Sequence, residues 1–259
     1  MSVYALPRVS IRFVPVWRRN FLVWTKLAAP SVLFNLADPT IYMLGLGYGL
    51  GTFLPDVGGV PYIAFLAAGT ICFSTMNTAT FETLYSAFSR MHVQRTWDAI
   101  TNAPVALDDI VLAELIWAAS KSVLSGLAIL VVVYALGIVA SPLAAATLAI
   151  VPLIGLCFGG LGLVITALSP SYDFFSYYFT LIITPMAMLS GVFFPVDQLP
   201  QALRIVAEVL PLAHATELVR PLTLGAIPEH AVLHVAVLLA YGTAGFYAAT
   251  ILFRRRLAS

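Results

Sequence analysis

Charge is scarce in this sequence. Of 259 residues, 13 are Lys or Arg and 12 are Asp or Glu, 10 % in all, where a soluble domain usually carries about a quarter. That is too little polar surface for a water-soluble body of this length, which excludes an ordinary cytosolic enzyme. With 61 % apolar residues the chain is not a disordered one either. A formal net charge of +1 leaves no basic field to steer a polyanion, so nucleic acid is excluded as a partner. Cysteine is nearly absent. Cys72 and Cys157 both fall in long apolar runs and read as small buried hydrophobes. Two thiols build neither a disulfide framework nor a four-ligand zinc site. Signatures of chemistry are missing too. There is no Gly-Lys pair and hence no P-loop, no H-E-x-x-H and no G-x-S-x-G.

What is present is apolar length. The mean hydropathy is +0.96, and a bilayer-spanning helix needs about 20 mostly apolar residues. Six runs qualify: 30–51, 61–87, 113–140, 143–168, 174–194 and 231–253. They predict an all-α integral membrane protein with six transmembrane helices. Residues 1–29 precede it as a cytoplasmic segment with an amphipathic interfacial helix, 30–253 form the six-span domain, and 254–259 are a basic cytoplasmic tail. The few cations orient it. Arg8, Arg12, Arg18, Arg19, Lys26, Arg90, Arg95, Lys121, Arg254, Arg255 and Arg256 fall on one side, 11 of 13, leaving only Arg204 and Arg220 on the other. Positive charge stays inside, so both termini are cytoplasmic, as an even number of crossings requires.

The N-terminus is not a cleaved signal peptide, because its cations are interleaved with Phe13, Trp17, Phe21 and Trp24. At about 100° per residue, Trp17, Phe21 and Trp24 share one face and Arg19 and Lys26 the opposite one. A helix from near Pro15 would therefore lie in the membrane interface, aromatics down. Gly45/Gly49, Gly47/Gly51 and Gly155/Gly159 have the four-residue spacing of close helix packing. His230 and His234 are four apart and could face one another, but a metal would need more ligands than Glu229 and His214 supply, so no metal site is expected.

Two apolar runs carry unusual chemistry. The second holds Ser74, Thr75, Asn77, Thr78, Thr80, Glu82, Thr83 and Tyr85. An ionised residue at membrane depth is costly, so Glu82 is expected to face protein or water. The start of the fifth crowds Tyr172, Phe174, Phe175, Tyr177, Tyr178 and Phe179 at the interface, either as an ordinary aromatic belt or as a gate for sugar rings and acyl chains. The polar residues of the second run suit either a hydrophilic path for a sugar headgroup or helix–helix hydrogen bonding at a dimer interface; on the first reading Thr78, Glu82, Tyr85, Tyr172, Phe175, Tyr177 and Tyr178 are the candidate substrate path. Between the fifth and sixth runs, Pro195, Pro200, Pro211, Pro221 and Pro228 cut the chain into pieces too short to span. One piece has Gln201, Arg204 and Glu208 on one face and Leu203, Val206 and Leu210 on another. A second, from about Ala213 to Leu222, carries Glu217 and Arg220. Two short helices that enter the outer leaflet and return are expected there.

Particular stretches are similar to a known family. The run Pro185-Met-Ala-Met-Leu-Ser-Gly-Val-Phe-Phe-Pro-Val-Asp-Gln-Leu-Pro200, followed by Leu210-Pro211-Leu212-Ala213-His214 and Arg220-Pro221, resembles the C-terminal signature of ABC-2-type exporter permeases. Val16-Trp-Arg-Arg-Asn20, Tyr62-Ile-Ala-Phe-Leu-Ala-Ala-Gly69, Ala79-Thr-Phe-Glu-Thr83, Gln94-Arg-Thr-Trp-Asp98 and Ala167-Leu-Ser-Pro-Ser-Tyr-Asp173 extend the likeness over the whole chain. Together they look most like the permease subunit of nodulation-factor (lipo-chitooligosaccharide) exporters. The resemblance implies a non-enzymatic transport subunit of the bacterial inner membrane. It implies a second copy of itself, two copies of a cytoplasmic ATPase that binds the ATP and Mg, and no cofactor in this chain. It also implies a coupling helix docking into that ATPase, at Gln94, Arg95, Thr96, Trp97, Asp98, Ala99 and Ile100. Trp97 beside Arg95 and Asp98 suits an aromatic anchor with a charged rim, a tryptophan at the membrane interface being the alternative.

Alternatives are an exporter of another amphiphile such as a drug, or a secondary transporter. The latter would need midplane carboxylates and broken helices in two similar halves. Glu82 is the one clear carboxylate, Asp38 and Glu114 lie near span ends, and no repeat relates spans 1–3 to 4–6. A membrane enzyme lacks a catalytic constellation.

Overall fold

Residues 4–54, 56–139 and 141–258 are described by the structure, a computed structural model. Asp38, one of the carboxylates weighed above, has its side chain outside the described residues. Helix α1 spans Phe13–Thr25 and α2 Ala28–Gly49. A two-residue hairpin follows, β1 Asp56–Val57 against β2 Val60–Pro61, turned by Gly58 and Gly59 at positive φ of 63° and 80°. Glycine has no Cβ to obstruct that conformation. Helix α3 runs over Tyr62–Val93 and the short α4 over Thr96–Thr101. Then come α5 Leu107–Ala135, α6 Thr147–Leu168 and α7 Asp173–Leu189. Helix α8 covers Gln201–Val209, α9 Pro211–Leu224 and α10 Ala231–Ala258.

Among the described residues, four helical stretches are long and apolar enough to cross a membrane: Tyr62–Val93, Leu107–Ala135, Pro142–Leu168 and Ala231–Leu257. The expected first run is helix α2, diluted by Asn35, Asp38 and Pro39. The expected fifth is α7, shorter at 17 residues because the chain leaves the helix at Ser190. Two boundaries move towards the polar loop. Helix α3 continues six residues past the expected end, and α5 begins at Leu107, six before the expected start. Apolar counting stops at charged residues, whereas here Glu82, Arg90, Asp108, Asp109 and Glu114 are helical and paired. Arg254, Arg255 and Arg256 likewise continue α10 rather than forming a separate tail.

Helix α6 is the hub, packed on α5 and α10. A Cβ on Gly160 would lie 2.8 Å from the Gly242 carbonyl oxygen, and one on Gly245 2.7 Å from the Gly160 carbonyl carbon. Only hydrogen fits between these backbones, the close approach that small residues permit in membranes. Gly155 and Gly159 face Ala119 and Leu115 of α5 as their spacing predicts, while Gly45 and Gly49 meet nothing within 4 Å in this chain.

Both ends of the chain meet at the basic end of the bundle. Residues before α1 run along the start of α5. The Arg8 amide donates to Asp108 at 2.8 Å, and the Ser10 amide and hydroxyl donate to Asp109 at 2.6 and 2.8 Å. From α10, Arg254 donates to both oxygens of Asp108 at 3.0 and 2.5 Å and to the Ala5 carbonyl at 2.5 Å. Tyr247 donates to the Tyr4 carbonyl at 3.0 Å. Asp108 and Asp109 also sit in the first turn of α5, where carboxylates complement the helix dipole.

Helix α1 is amphipathic as read, but its aromatic face rests on protein. Trp17 donates its indole N–H to Ser120 at 3.1 Å, and Phe21 and Trp24 pack edge-on against Trp117 with ring centres 6.3 and 6.1 Å away. Periodicity identified the face, and Trp117 and Ser120 of α5 lie against it.

Candidate translocation cleft and coupling helix

The polar side of α3 faces a cleft of about 420 Å³. Ser31 and Tyr42 of α2 form one wall, and Ser74, Asn77, Thr78, Phe81, Glu82 and Tyr85 of α3 the other. Lys121 of α5 lies towards the basic end, and Val192 and Phe193 complete the lining. Hydroxyls and one amide thus alternate with aromatic rings, and one acid and one base stand among them.

Glu82 is not left facing the cleft alone. Its Oε1 accepts from Arg90 Nη2 at 2.9 Å and from the Trp117 indole at 2.8 Å, and its Oε2 from Lys121 Nζ at 2.8 Å. Arg90 in turn grips Glu114, Nε to Oε1 at 2.9 Å and Nη2 to Oε2. Two acids against two bases make the buried set neutral, and its lone pairs are used, the condition under which buried charge is tolerated. Glu82 and Arg90 are eight residues apart on α3, in two π-helical stretches, Glu82–Ala87 and Ser89–Val93. Such local widening is a frequent mark of functional sites.

At the far end the cleft meets a non-helical turn after α7. The Ser190 carbonyl accepts from Thr216 at 2.8 Å, the Gly191 carbonyl from Arg220, and the Phe193 carbonyl from Tyr62 at 3.2 Å. Unwound backbone inside a membrane domain needs such internal partners. A Cβ at Gly69 would collide with the Val192 carbonyl, so glycine is required there for the turn to seat on α3. The turn has glycine for its own reason, Gly191 having φ 71°.

This match of an ordered cleft to a membrane bundle coincides with a family relationship. The ABC-2 type transporter profile matches residues 12–224. The chain belongs to the ABC-2 type transporter family. Nodulation protein J of Rhizobium meliloti is 49 % identical over 257 residues, covering 99 % of this chain and 98 % of that protein. Nodulation protein J of Bradyrhizobium diazoefficiens is 47 % identical over 252 residues, 97 % and 96 % of the two chains. The inner membrane transport permease YadH of Escherichia coli is 25 % identical over 186 residues, 70 % and 69 %.

In this ABC-2 permease the expected path residues separate. Thr78, Glu82 and Tyr85 line the cleft. Tyr172 stacks on Tyr85 at 6.0 Å. Phe175 is wholly buried and Tyr178 8 % exposed, so neither presents a surface at a gate in this conformation; Tyr177, 64 % exposed, points out of the chain. Sequence counting placed six aromatics at one end but could not tell which sides of α7 were covered.

Trp97 lies inside the bundle. Expected as an aromatic anchor for the ATPase, it is 1 % exposed, its ring 4.9 Å from that of Phe253 and its indole N–H donating to Glu114 Oε1 at 3.3 Å. The outward residues of this stretch are Gln94, Arg95, Asp98 and Ala99, with Thr96 and Ile100 half-buried. Arg95 opens α4 in the left-handed region, φ 48°. Arg19 of α1 reaches Thr96 at 3.3 Å. Burial, reinforced by the Arg90 cation, draws the Arg19 pKa below its ordinary value, while Glu114 opposes the shift.

The proline-cut segment also divides. Pro200 and helix α8 are largely exposed, whereas Pro211 and most of α9 are buried, with Glu217 outward; Pro195 is half-buried. Arg220 turns inward, its guanidinium carbon 3.8 Å above the Phe65 ring. His234 is partnered not by His230 but by His214, Nδ1 to Nδ1 2.7 Å. Among the described residues no group of three or more potential metal ligands converges.

The sequence reading missed Arg90, Glu114 and Trp117 as parts of the site. A buried Glu82 demanded a partner, and Arg90 was the next cation along the same helix.

Proposed function

We propose that this chain is the membrane half of an ATP-driven exporter for lipo-chitooligosaccharides, the nodulation factors. It crosses the bacterial inner membrane six times, α2 and α7 completing the four longer spans, with both termini in the cytoplasm. Two copies form the export path. The polar face of α3 offers hydroxyl and amide partners to sugar, and Tyr42, Phe73, Phe81 and Tyr85 offer ring faces to sugar rings and acyl chain. A separate ATPase supplies ATP and Mg sites and docks on α4 and the turn before it through Gln94, Arg95, Asp98 and Ala99; Trp97 holds that helix from within. Helices α8 and α9, around Pro200, Pro211, Glu217 and Arg220, form the outer re-entrant segment.

The observation that carries the cargo assignment is near-half identity over almost the entire chain to proteins named for nodulation. The cleft's mixed chemistry supports it. The test is mass spectrometry of N-acylated chitin oligosaccharides in the medium of cells that synthesise them, with and without this chain. Loss of the external pool on deletion, and its return on complementation, is expected; an unchanged pool would overturn the assignment. Co-purification of a Walker-motif ATPase whose rate depends on the chain tests the energy source.

A further inference from the structure

Glu82 and Lys121 are the ionised side chains on the cleft wall, among the residues that line it. Their pairing is one end of a continuous chain of contacts. From Lys121 Nζ it passes to Glu82 at 2.8 Å, to Arg90 at 2.9 Å, to Glu114 at 2.9 Å, and to the Trp97 indole at 3.3 Å. Trp97 belongs to α4, whose other side is outward. Thus three helices, α3, α4 and α5, are joined by side chains that are almost wholly buried, with 12 % exposure of the Arg90 side chain and 17 % of Lys121 as the largest values among the charged four.

Such a chain does more than fill space, because its central cation has two acceptors. Arg90 is shared between Glu82 and Glu114, and Lys121 competes with Arg90 for Glu82. A ligand whose hydroxyls accept from the Lys121 ammonium and donate to Glu82 Oε2 weakens that competing bond. Glu82 would then hold Arg90 more strongly, Arg90 would relax its grip on Glu114, and the acceptor of the Trp97 N–H would shift. Such a displacement would end at α4, which carries Trp97. Buried pairs of this kind are sensitive because each charge has few alternatives away from water. A ligand can shift the equilibrium only by its differential interaction with the two arrangements, and here that difference is the Lys121–Glu82 bond.

We propose that the Glu82–Lys121 pair senses a polyhydroxylated headgroup in the cleft, and that Arg90, Glu114 and Trp97 act as positioning residues that convey its presence to helix α4. This rests on the permease reading above. A purely structural network would set stability and assembly; a sensing network additionally sets the ratio of substrate-stimulated to basal ATP hydrolysis.

The permease, co-purified with its ATPase and reconstituted into proteoliposomes, is assayed for ATP hydrolysis with and without an N-acylated chitin oligosaccharide. The dissociation constant of that probe and its export are measured on the same vesicles. Glu114→Gln keeps an acceptor for Trp97 but removes the charge that balances Arg90. Trp97→Phe removes only the N–H and keeps a ring on Phe253, so it assembles even where Glu114→Gln does not. Each is expected to lower the stimulation ratio about fivefold or more, the lower range of coupling between sites, with an unchanged dissociation constant. A wild-type ratio in either assembled variant, or wild-type vesicles that export without any stimulation, overturns the proposal alone. Wild-type vesicles that bind and export no such probe overturn the permease reading and this inference with it.

Discussion

Trp97 carries a ring covered by Phe253 and an N–H taken by Glu114, so its truncation to Ala empties a buried aromatic site. Losses of that kind are about 3–5 kcal/mol, and Trp97→Ala is expected to reduce folded permease and lower its thermal midpoint in detergent, read by size-exclusion after heating. The neighbouring Asp98 is outward and its side chain makes no comparable contact, so Asp98→Arg leaves the midpoint unchanged within about 0.5 kcal/mol while reducing ATPase co-purification. Recovery of the ATPase at the wild-type level with Asp98→Arg would remove that residue from the docking face. Residue type alone suggested the reverse ranking, because an aromatic flanked by charges resembles an interface anchor. What it could not supply was Glu114 and Phe253, brought from 17 and 156 positions along the chain.

Among elements, the α6–α10 seam is the least tolerant of added volume. Gly160→Leu drives a side chain into the Gly242 backbone, which cannot rotate away, and a marked loss of thermal stability is expected; a wild-type midpoint would mean the seam can open freely. Gly49→Ala, at the end of α2 with nothing within 4 Å, serves as the matched control and is expected to be neutral or slightly stabilising. Helix spacing identified Gly155 and Gly159 correctly, because a four-residue repeat marks one face. The same repeat at Gly45 and Gly49 marks a face without a neighbour in this chain. Helix limits followed apolar length where spans end at turns, as at Leu168, and failed where paired charges extend α3 and α5.

For the whole molecule, crossing number is the property to measure. Cys72 and Cys157 are buried, so cysteines placed at the surface report separately from them. Gln201→Cys, on the exposed α8, is expected to react with a membrane-impermeant maleimide in intact spheroplasts. Asp98→Cys is expected to react only after permeabilisation. Labelling of both from one side would overturn the six-crossing arrangement. The meeting of Tyr4, Ala5 and Arg8 with Asp108, Tyr247 and Arg254 puts the two ends of the chain on one side of the bundle, which an even count of crossings requires.

By itself the sequence determined the solvent this chain folds in and the lack of a P-loop, and it predicted the side on which its cations gather. These follow from composition and spacing, which are properties of the chain read one residue after another. It also marked α3 as the polar helix and Glu82 as a group needing a partner. The tertiary structure decided which partners met. Arg90, Trp117 and Lys121 converge on that acid, Arg90 joins it to Glu114, Trp97 and Tyr178 turn inward, and the aromatic face of α1 rests on Trp117. The physical reason is that periodicity assigns a side chain to a face of its own helix, whereas burial and charge pairing depend on the helix that comes to lie against that face.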